Sequence, residues 1–392
     1  MSLAPNSAIS VLVVDDSPFM RLTIQKVLGQ DSGIKIIDTA RDGREGIEKL
    51  KALRPQVVTM DVEMPVINGL QALDEIMRWQ PTPVIVLSSL TTEGAEATLK
   101  ALDLGAFDVV AKPTGPDLQN LARELSEKIK AAANVNLARL GRRSSSGVGA
   151  LAKDAVLNGS MKKTETLNSG VASKSVAQVG QVVPTGNVSY ERTSTYLPKH
   201  PIEIVAIGTS TGGPSALQTV LPRLPANFPV PVIVAQHMPP GFTGPLAQRL
   251  NGVCALTVCE GTSGEVLKAG SIYIAPAGKQ MQVHRRGGQL VLQIGDESPI
   301  TTLYHPSVDV LFMSLAKEVG KGTLGVVMTG MGNDGARGMK EIKALEGFAI
   351  AESEETCVVY GMPRALVDAG LADRVVPLGD IGRTLVECVL RR

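Results

Sequence analysis

Aromatic residues are scarce: the chain of 392 residues holds 6 Phe, 5 Tyr and 1 Trp. Recognition of single-stranded nucleic acid by stacked aromatics is therefore disfavoured, and the core must rely on Val, Ile, Leu and Ala, as in parallel-sheet α/β proteins. An excess of either charge is lacking too, since 39 Lys+Arg stand against 38 Asp+Glu, a formal net charge of +1. That balance gives no sequence-wide reason to grip nucleic acid or an anionic membrane. Cysteine is sparse, and Cys254, Cys259, Cys357 and Cys388 show neither Cys-x-x-Cys spacing nor a neighbouring His pair. Neither a zinc site nor a disulfide framework is indicated; small buried apolar thiols in a reducing compartment are expected. No apolar run approaches the roughly 18 residues of a spanning helix, and the amino terminus, MSLAPNSAISVLVVDD, has no basic segment of the secretory kind. A soluble, cytoplasmic protein without membrane insertion is the expectation, with a monomer as the default state.

What is present is a repeated alternation of short β-rich runs with helical patterns. Ile9–Val14, Ile34–Ile37, Val57–Met60, Val84–Leu87 and Val109–Ala111 suggest a five-stranded, doubly wound parallel α/β domain over residues 1–135. From Arg143 to Leu197 the composition changes, with 23 of 55 residues Ser, Gly, Asn or Thr and no sustained period. A flexible linker over 136–197 is expected. Beyond it, Ile202–Ile207, Val230–Gln236, Ser271–Ala275 and Thr323–Thr329 restart the pattern, so a second α/β domain with a mostly parallel sheet is expected over 198–392.

In the first domain three predicted strands end in chemical head groups: Asp15 and Asp16, then Asp61, then Lys112. Parallel strands bring these ends to one edge. Three carboxylates there repel one another unless a hard cation joins them, and an all-oxygen donor set suits Mg²⁺ rather than zinc. An Asp beside Mg²⁺ and an ammonium is suited to accept a phosphoryl group. The bland reading, aspartates that cap the following helices, accounts for one such residue better than for the spaced set. The segment closely resembles a response-regulator receiver domain, through Asp15–Asp16, Asp61 followed by Val-Glu-Met-Pro, Asn68-Gly69, Ser88, and Lys112-Pro113. The resemblance implies that Asp61 is phosphorylated by a histidine kinase, with Asp16 and Asp61 the main metal ligands. Ser88 would follow the phosphoryl group and Lys112 would be its counter-ion, although Ser89 exchanges with Ser88 on a one-residue slip.

In the second domain, Ile202–Pro214 runs from a strand through a glycine turn into a helix, and Gly208-Thr-Ser210-Thr-Gly212 fits G-x-S-x-G. Ser210 is the candidate nucleophile, with helix-terminal N–H groups available to an oxyanion. A phosphate cradle is the rival, weakened because no Gly-Lys-Ser/Thr follows. Of the four histidines, His200 sits at the linker edge, His284 reads as part of an exposed turn and His305 lies in a polar stretch. His237 ends an apolar strand and is the preferred base. Asp334, in the loop after Thr323–Thr329, is the expected orienter of the His237 ring; Asp309 is the fallback, and an N-cap near Ala336 is the bland reading of Asp334. The order Ser–His–Asp differs from that of α/β-hydrolases, so G-x-S-x-G does not imply that fold.

Taken together, GTSTGG at 208–213, AQHMPPGFT at 235–243, IAPAG at 274–278, TGMGNDGA at 329–336 and CVVYGMPR at 357–364 closely resemble the chemotaxis protein-glutamate methylesterases. That resemblance implies hydrolysis of glutamyl methyl esters and deamidation of glutamines on chemoreceptors, with Met331 as a backbone oxyanion donor and no cofactor for the ester chemistry; Thr211, next to the candidate nucleophile, is a second candidate donor. It also implies that the unphosphorylated receiver covers the esterase cleft. A receiver joined to a DNA-binding output lacks a basic recognition helix after residue 198. A non-catalytic, phosphorylation-dependent receptor scaffold is the remaining alternative.

Overall fold

The computed structural model describes residues 8–113, 118–136 and 196–390. Nearly all of the expected linker, 137–195, lies outside the described residues. The first unit contains β1 (Ile9–Val14), α1 (Pro18–Leu28), β2 (Ile34–Ala40), α2 (Gly43–Leu53), β3 (Val57–Asp61), α3 (Gly69–Trp79), β4 (Val84–Ser88), α4 (Thr92–Asp103), β5 (Asp108–Ala111) and α5 (Leu118–Ala133). Its strands are all parallel, in the order β2-β1-β3-β4-β5. Val11 to Val14 and Val84 to Leu87 are buried, because helices cover both faces and each such side chain contributes about 1.5–3 kcal/mol on burial. The chain leaves β1 toward β2 and returns to the other side for β3, so a crevice opens at the carboxyl ends of β1 and β3.

Local chemistry sets the turns on that edge. Asn68 accepts from the Gln71 amide while the Gln71 side chain accepts from the Asn68 amide, a reciprocal cap that starts α3. Gly69 follows because a Cβ there would lie 2.0 Å from the Asp61 carbonyl oxygen. The Asn68-Gly69 pair thus shapes the loop that carries Asp61.

The second unit contains β6 (Ile204–Thr209), α6 (Gly213–Val220), β7 (Val232–Gln236), α7 (Thr243–Asn251), β8 (Thr257–Glu260), β9 (Ser271–Ile274), β10 (Gln280–Arg286), β11 (Gln289–Gly295), α8 (Val308–Glu318), β12 (Thr323–Val327), α9 (Ala336–Ala344), β13 (Phe348–Glu352), α10 (Met362–Asp368), β14 (Arg374–Val376) and α11 (Leu378–Leu390). Seven strands form a parallel sheet in the order β14-β13-β12-β6-β7-β9-β8. β10 and β11 make a separate antiparallel hairpin that turns at Gly287 and Gly288. His284 is therefore a strand residue opposite Val291, not part of an exposed turn; the Arg285-Arg286 pair after it gives the turn-like reading, although Met281 and Val283 alternate with polar residues as a half-buried strand does. β6 lies between β12 and β7, which places the crevice at the carboxyl ends of these three strands. Tyr196, where the described chain resumes, stacks on Phe348 with ring centroids 6.3 Å apart. All four cysteines are free, Cys357 and Cys388 buried and the other two half-buried.

Candidate functional site

Asp15, Asp16 and Asp61 converge at the first crevice, each offering a carboxylate oxygen within 4.8 Å of the others. Asp15 and Asp61 are buried and Asp16 is exposed. Lys112 Nζ lies 2.6 Å from Asp61 Oδ2 and 3.1 Å from Asp15 Oδ2. Burial pushes the Asp61 carboxyl above the usual carboxylate range in spite of the Lys112 ammonium, and the Asp15 charge adds to that rise. Burial opposes the charge on Lys112, yet Asp61 and Asp15 hold its pKa above the ordinary lysine value. One ammonium thus serves two buried carboxylates, and Asp15 Oδ2, although beside it, has no hydrogen-bond partner. A hard cation fits this donor set. Ser88 is the last residue of β4 and buried; its hydroxyl donates 3.1 Å to the Gly94 carbonyl in α4. Ser89, one residue beyond the end of β4, is half-buried and pairs with Thr91 instead.

At the second crevice the β6–β7 register pairs Thr209 with Gln236, and the His237 amide donates 3.0 Å to the Thr209 carbonyl. Ser210 and His237 therefore leave adjacent strands at the same level. The turn after Ser210 is tight: the Gly213 amide donates 2.8 Å to the Ser210 carbonyl, and Gly212 has φ of 77°, a conformation that only glycine adopts without strain. The Gln236 side-chain amide ties the two loops, donating to the carbonyls of Ser210 at 3.0 Å and His237 at 2.8 Å.

His237 Nε2 lies 2.8 Å from Asp334 Oδ2. The buried Asp334 carboxylate also accepts from the Ser307 hydroxyl at 2.9 Å, the Val308 amide at 2.7 Å and the Asp309 amide at 3.0 Å. Burial alone would raise the Asp334 pKa; the His237 contact and the amides of Asp309 and Val308 hold it below the usual carboxylate range. With Nε2 turned to Asp334, the nitrogen left over is Nδ1, which is buried and has no hydrogen-bond partner. Asp309 does not touch His237: its Oδ1 accepts from the amides of Gly335 at 2.9 Å and Gly338 at 2.7 Å, at the start of α9. The two aspartates thus exchange helices, Asp334 capping α8 and Asp309 capping α9.

Thr211 follows Ser210 in the chain, and Met331 follows Gly330. Gly330, next to Met331, packs so closely on Ser210 that an added Cβ would lie 2.8 Å from the Ser210 Cβ. Thr211 is buried, and its hydroxyl donates 2.5 Å to Asp108 of the first unit. The same interface holds Asp103, which accepts from Arg249 and, at 3.3 Å, from Gln218 Nε2, so α4 packs on α6 and α7. Tyr304 and Gln280 lie outside any motif of the sequence, whereas Gln236 lies inside AQHMPPGFT but its two bonds form only between the folded loops. Among the described residues, no helix is long and apolar enough to cross a membrane.

Residues 205–385 match the family model described as CheB methylesterase, and residues 11–123 match the response regulator receiver domain. The protein-glutamate methylesterase/protein-glutamine glutaminase of Desulfitobacterium hafniense is 67% identical over 99% of each chain. The like-named protein of Archaeoglobus fulgidus is 41% identical over 96% of this chain and 97% of its own. The crystal structure of the Thermotoga maritima CheB methylesterase catalytic domain covers 48% of this chain and 99% of that one, at 41% identity and a TM-score of 0.46. With the receiver fold in front and the serine, histidine and aspartate loops behind, the chain belongs to the CheB methylesterase family.

Proposed function

We propose that the chain is a phosphorylation-regulated serine hydrolase of bacterial chemotaxis, acting in the cytoplasm on chemoreceptors. It demethylates glutamate methyl esters and deamidates glutamines, both acyl transfers at a side-chain carbonyl. The observation that carries this reading is His237, clamped at Nε2 by Asp334 and left with a bare Nδ1 at the level of Ser210. In the forward step Ser210 Oγ attacks the carbonyl while His237 Nδ1 takes its proton, and Asp334 stabilises the imidazolium. The backbone amides of Met331 and Thr211 hold the oxyanion. His237 returns the proton to methanol or ammonia; water, activated by the same ring, then releases the glutamyl carboxylate from Ser210. No cofactor enters this chemistry.

The receiver, residues 1–135, supplies control through the 136–197 linker to the hydrolase over 198–392. Asp61 accepts a phosphoryl group from a histidine kinase. Asp15, Asp16 and Asp61 would hold Mg²⁺, whose charge offsets that spreading over the transferred oxygens. Lys112 pairs with the new phosphoryl oxygens, and Ser88 leaves the Gly94 carbonyl to follow them. Because Gly94 belongs to α4, whose last residue Asp103 grips Arg249, this movement loosens the cover over Thr211. Phosphorylation acts by favouring the uncovered arrangement.

Methanol release from methylated receptor membranes tests the reading, with wild type and Ser210→Ala each assayed with and without acetyl phosphate and Mg²⁺. Release is expected from wild type alone, increased by the donor. Retained release in Ser210→Ala would remove the serine from the mechanism, and no release under any condition would favour a scaffold.

A further inference from the structure

Tyr304 lies parallel to the His237 imidazole, with ring centroids 4.2 Å apart and 4° between the planes. Its hydroxyl rests against Gly332, where an added Cβ would lie 3.1 Å from the oxygen. Its carbonyl accepts a 2.8 Å bond from Gln280 Nε2, and Gln280 Oε1 accepts from the Ser307 amide at 2.9 Å. One buried side-chain amide thus fixes the segment at both ends. Since Ser307 and Val308 hold Asp334, the stretch 304–308 reaches His237 twice, on the ring face through Tyr304 and at Nε2 through Asp334.

We propose that Tyr304 is a positioning residue for the base: it fixes the imidazole plane, and its π face stabilises the imidazolium that forms when Ser210 loses its proton. Two neutral rings lying face to face gain little from their quadrupoles. A cation over the same face is attracted. The contact therefore strengthens as charge develops, and only an interaction of that kind speeds the chemical step. Asp334 faces the ring at Nε2, with Asp309 behind it; Glu127 and Arg123 of α5 face Tyr304 from the receiver. Burial, with Asp334 and Glu127, pushes the phenol up, so the stacked ring is neutral at physiological pH.

This inference rests on His237 being the base, and the test separates the two. Full-length Tyr304→Phe, Tyr304→Leu and His237→Ala are compared with wild type for methanol release across pH. Tyr304→Phe is expected to stay within about twofold of wild type, and Tyr304→Leu to lose roughly tenfold in kcat with KM within about twofold. The acid limb of the Tyr304→Leu profile is expected at lower pH, because the charged ring has lost its partner. An unchanged kcat and acid limb in Tyr304→Leu would overturn the proposal. So would a Tyr304→Phe as impaired as Tyr304→Leu, since the hydroxyl would then carry the effect. Retained release in His237→Ala would remove the base itself and the inference with it. Should Tyr304→Leu fail to fold, proton NMR of the four histidines supplies the reading on wild type and Tyr304→Phe. The resonance absent in His237→Ala should lie upfield in both, shielded by the stacked ring, and a resonance without that shift overturns the stack.

Discussion

Asp108, the first residue of β5, accepts a 2.5 Å hydrogen bond from the hydroxyl of Thr211, the residue after the proposed nucleophile. Lys128 lies 3.3 Å from the same carboxylate oxygen and 2.9 Å from Glu124. The receiver thus places an anion, held by its own lysine, beside the serine loop.

Weakening that anchor should release basal activity. Asp108→Ala removes one charge-assisted bond and leaves Lys128 paired with Glu124, and Asp103→Ala removes the partner of Arg249 and Gln218. Such bonds contribute about 1.5–3 kcal/mol each, so methanol release without a phosphodonor should rise roughly tenfold for either variant. An initial rate equal to wild type in both would show that these contacts do not govern access.

The exchange of helices by Asp334 and Asp309 yields a contrast. In Asp334→Asn the side-chain amide donates to Nε2, so the ring proton moves to Nδ1 and the base is lost; kcat should fall by about 10⁴. Asp309→Ala removes the α9 cap and should cost about 1 kcal/mol of stability with a much smaller effect on kcat. The pH dependence of stability follows from the depressed Asp334 pKa. Its folded value lies below the unfolded one, so its contribution is full above the unfolded pKa and is lost as pH falls through the folded value. The melting-temperature gap between wild type and Asp334→Asn should therefore narrow on acidification from neutral pH, and a gap that widens would contradict the assignment.

Much of this site was legible before the fold, for a physical reason. Asp61 ends a strand and Asp15, Ser210 and His237 each follow one, and parallel strands deliver their carboxyl ends to one edge whatever the loops do. What stayed hidden was what depends on loops meeting across the sheet. A cap read locally would place Asp334 on the helix near Ala336; only the folded chain shows α8 and α9 trading caps. Tyr304 lies in an irregular segment without period or turn signature, so nothing in the chain order announced its place on His237. β8 and β14 escaped notice because they are short and carry exposed residues, whereas the hairpin of β10 and β11 was masked by its Gln, His and Arg side chains.

Magnesium should stabilise the chain through the receiver carboxylates. Ligand binding to the folded state alone stabilises by RT ln(1 + [L]/Kd), about 1.4 kcal/mol at tenfold excess over Kd. A melting-temperature rise on Mg²⁺ titration is expected in wild type and not in Asp15→Asn or Asp61→Asn, monitored by calorimetry. An equal rise in all three would place the ion elsewhere.

Gln236 is a direct probe of how Ser210 and His237 are kept together. Its side-chain amide donates to the carbonyls of both Ser210 and His237, so one group sets the spacing between two loops that otherwise meet only through the sheet. Gln236→Leu keeps the volume and takes this donor from the His237 carbonyl, while the Ser210 carbonyl keeps the Gly213 amide. A buried acceptor left unpaired costs about 1–3 kcal/mol, and small misplacements of reacting groups cost up to about a hundredfold in rate. The variant should lose roughly tenfold or more in kcat as well as stability, and Gln236→Glu should fare no better, because a carboxylate offers these carbonyls no N–H. If Gln236→Leu lowers the melting temperature while kcat stays at the wild-type value, the amide supports the fold alone, and the spacing of Ser210 and His237 is set by the β6–β7 register.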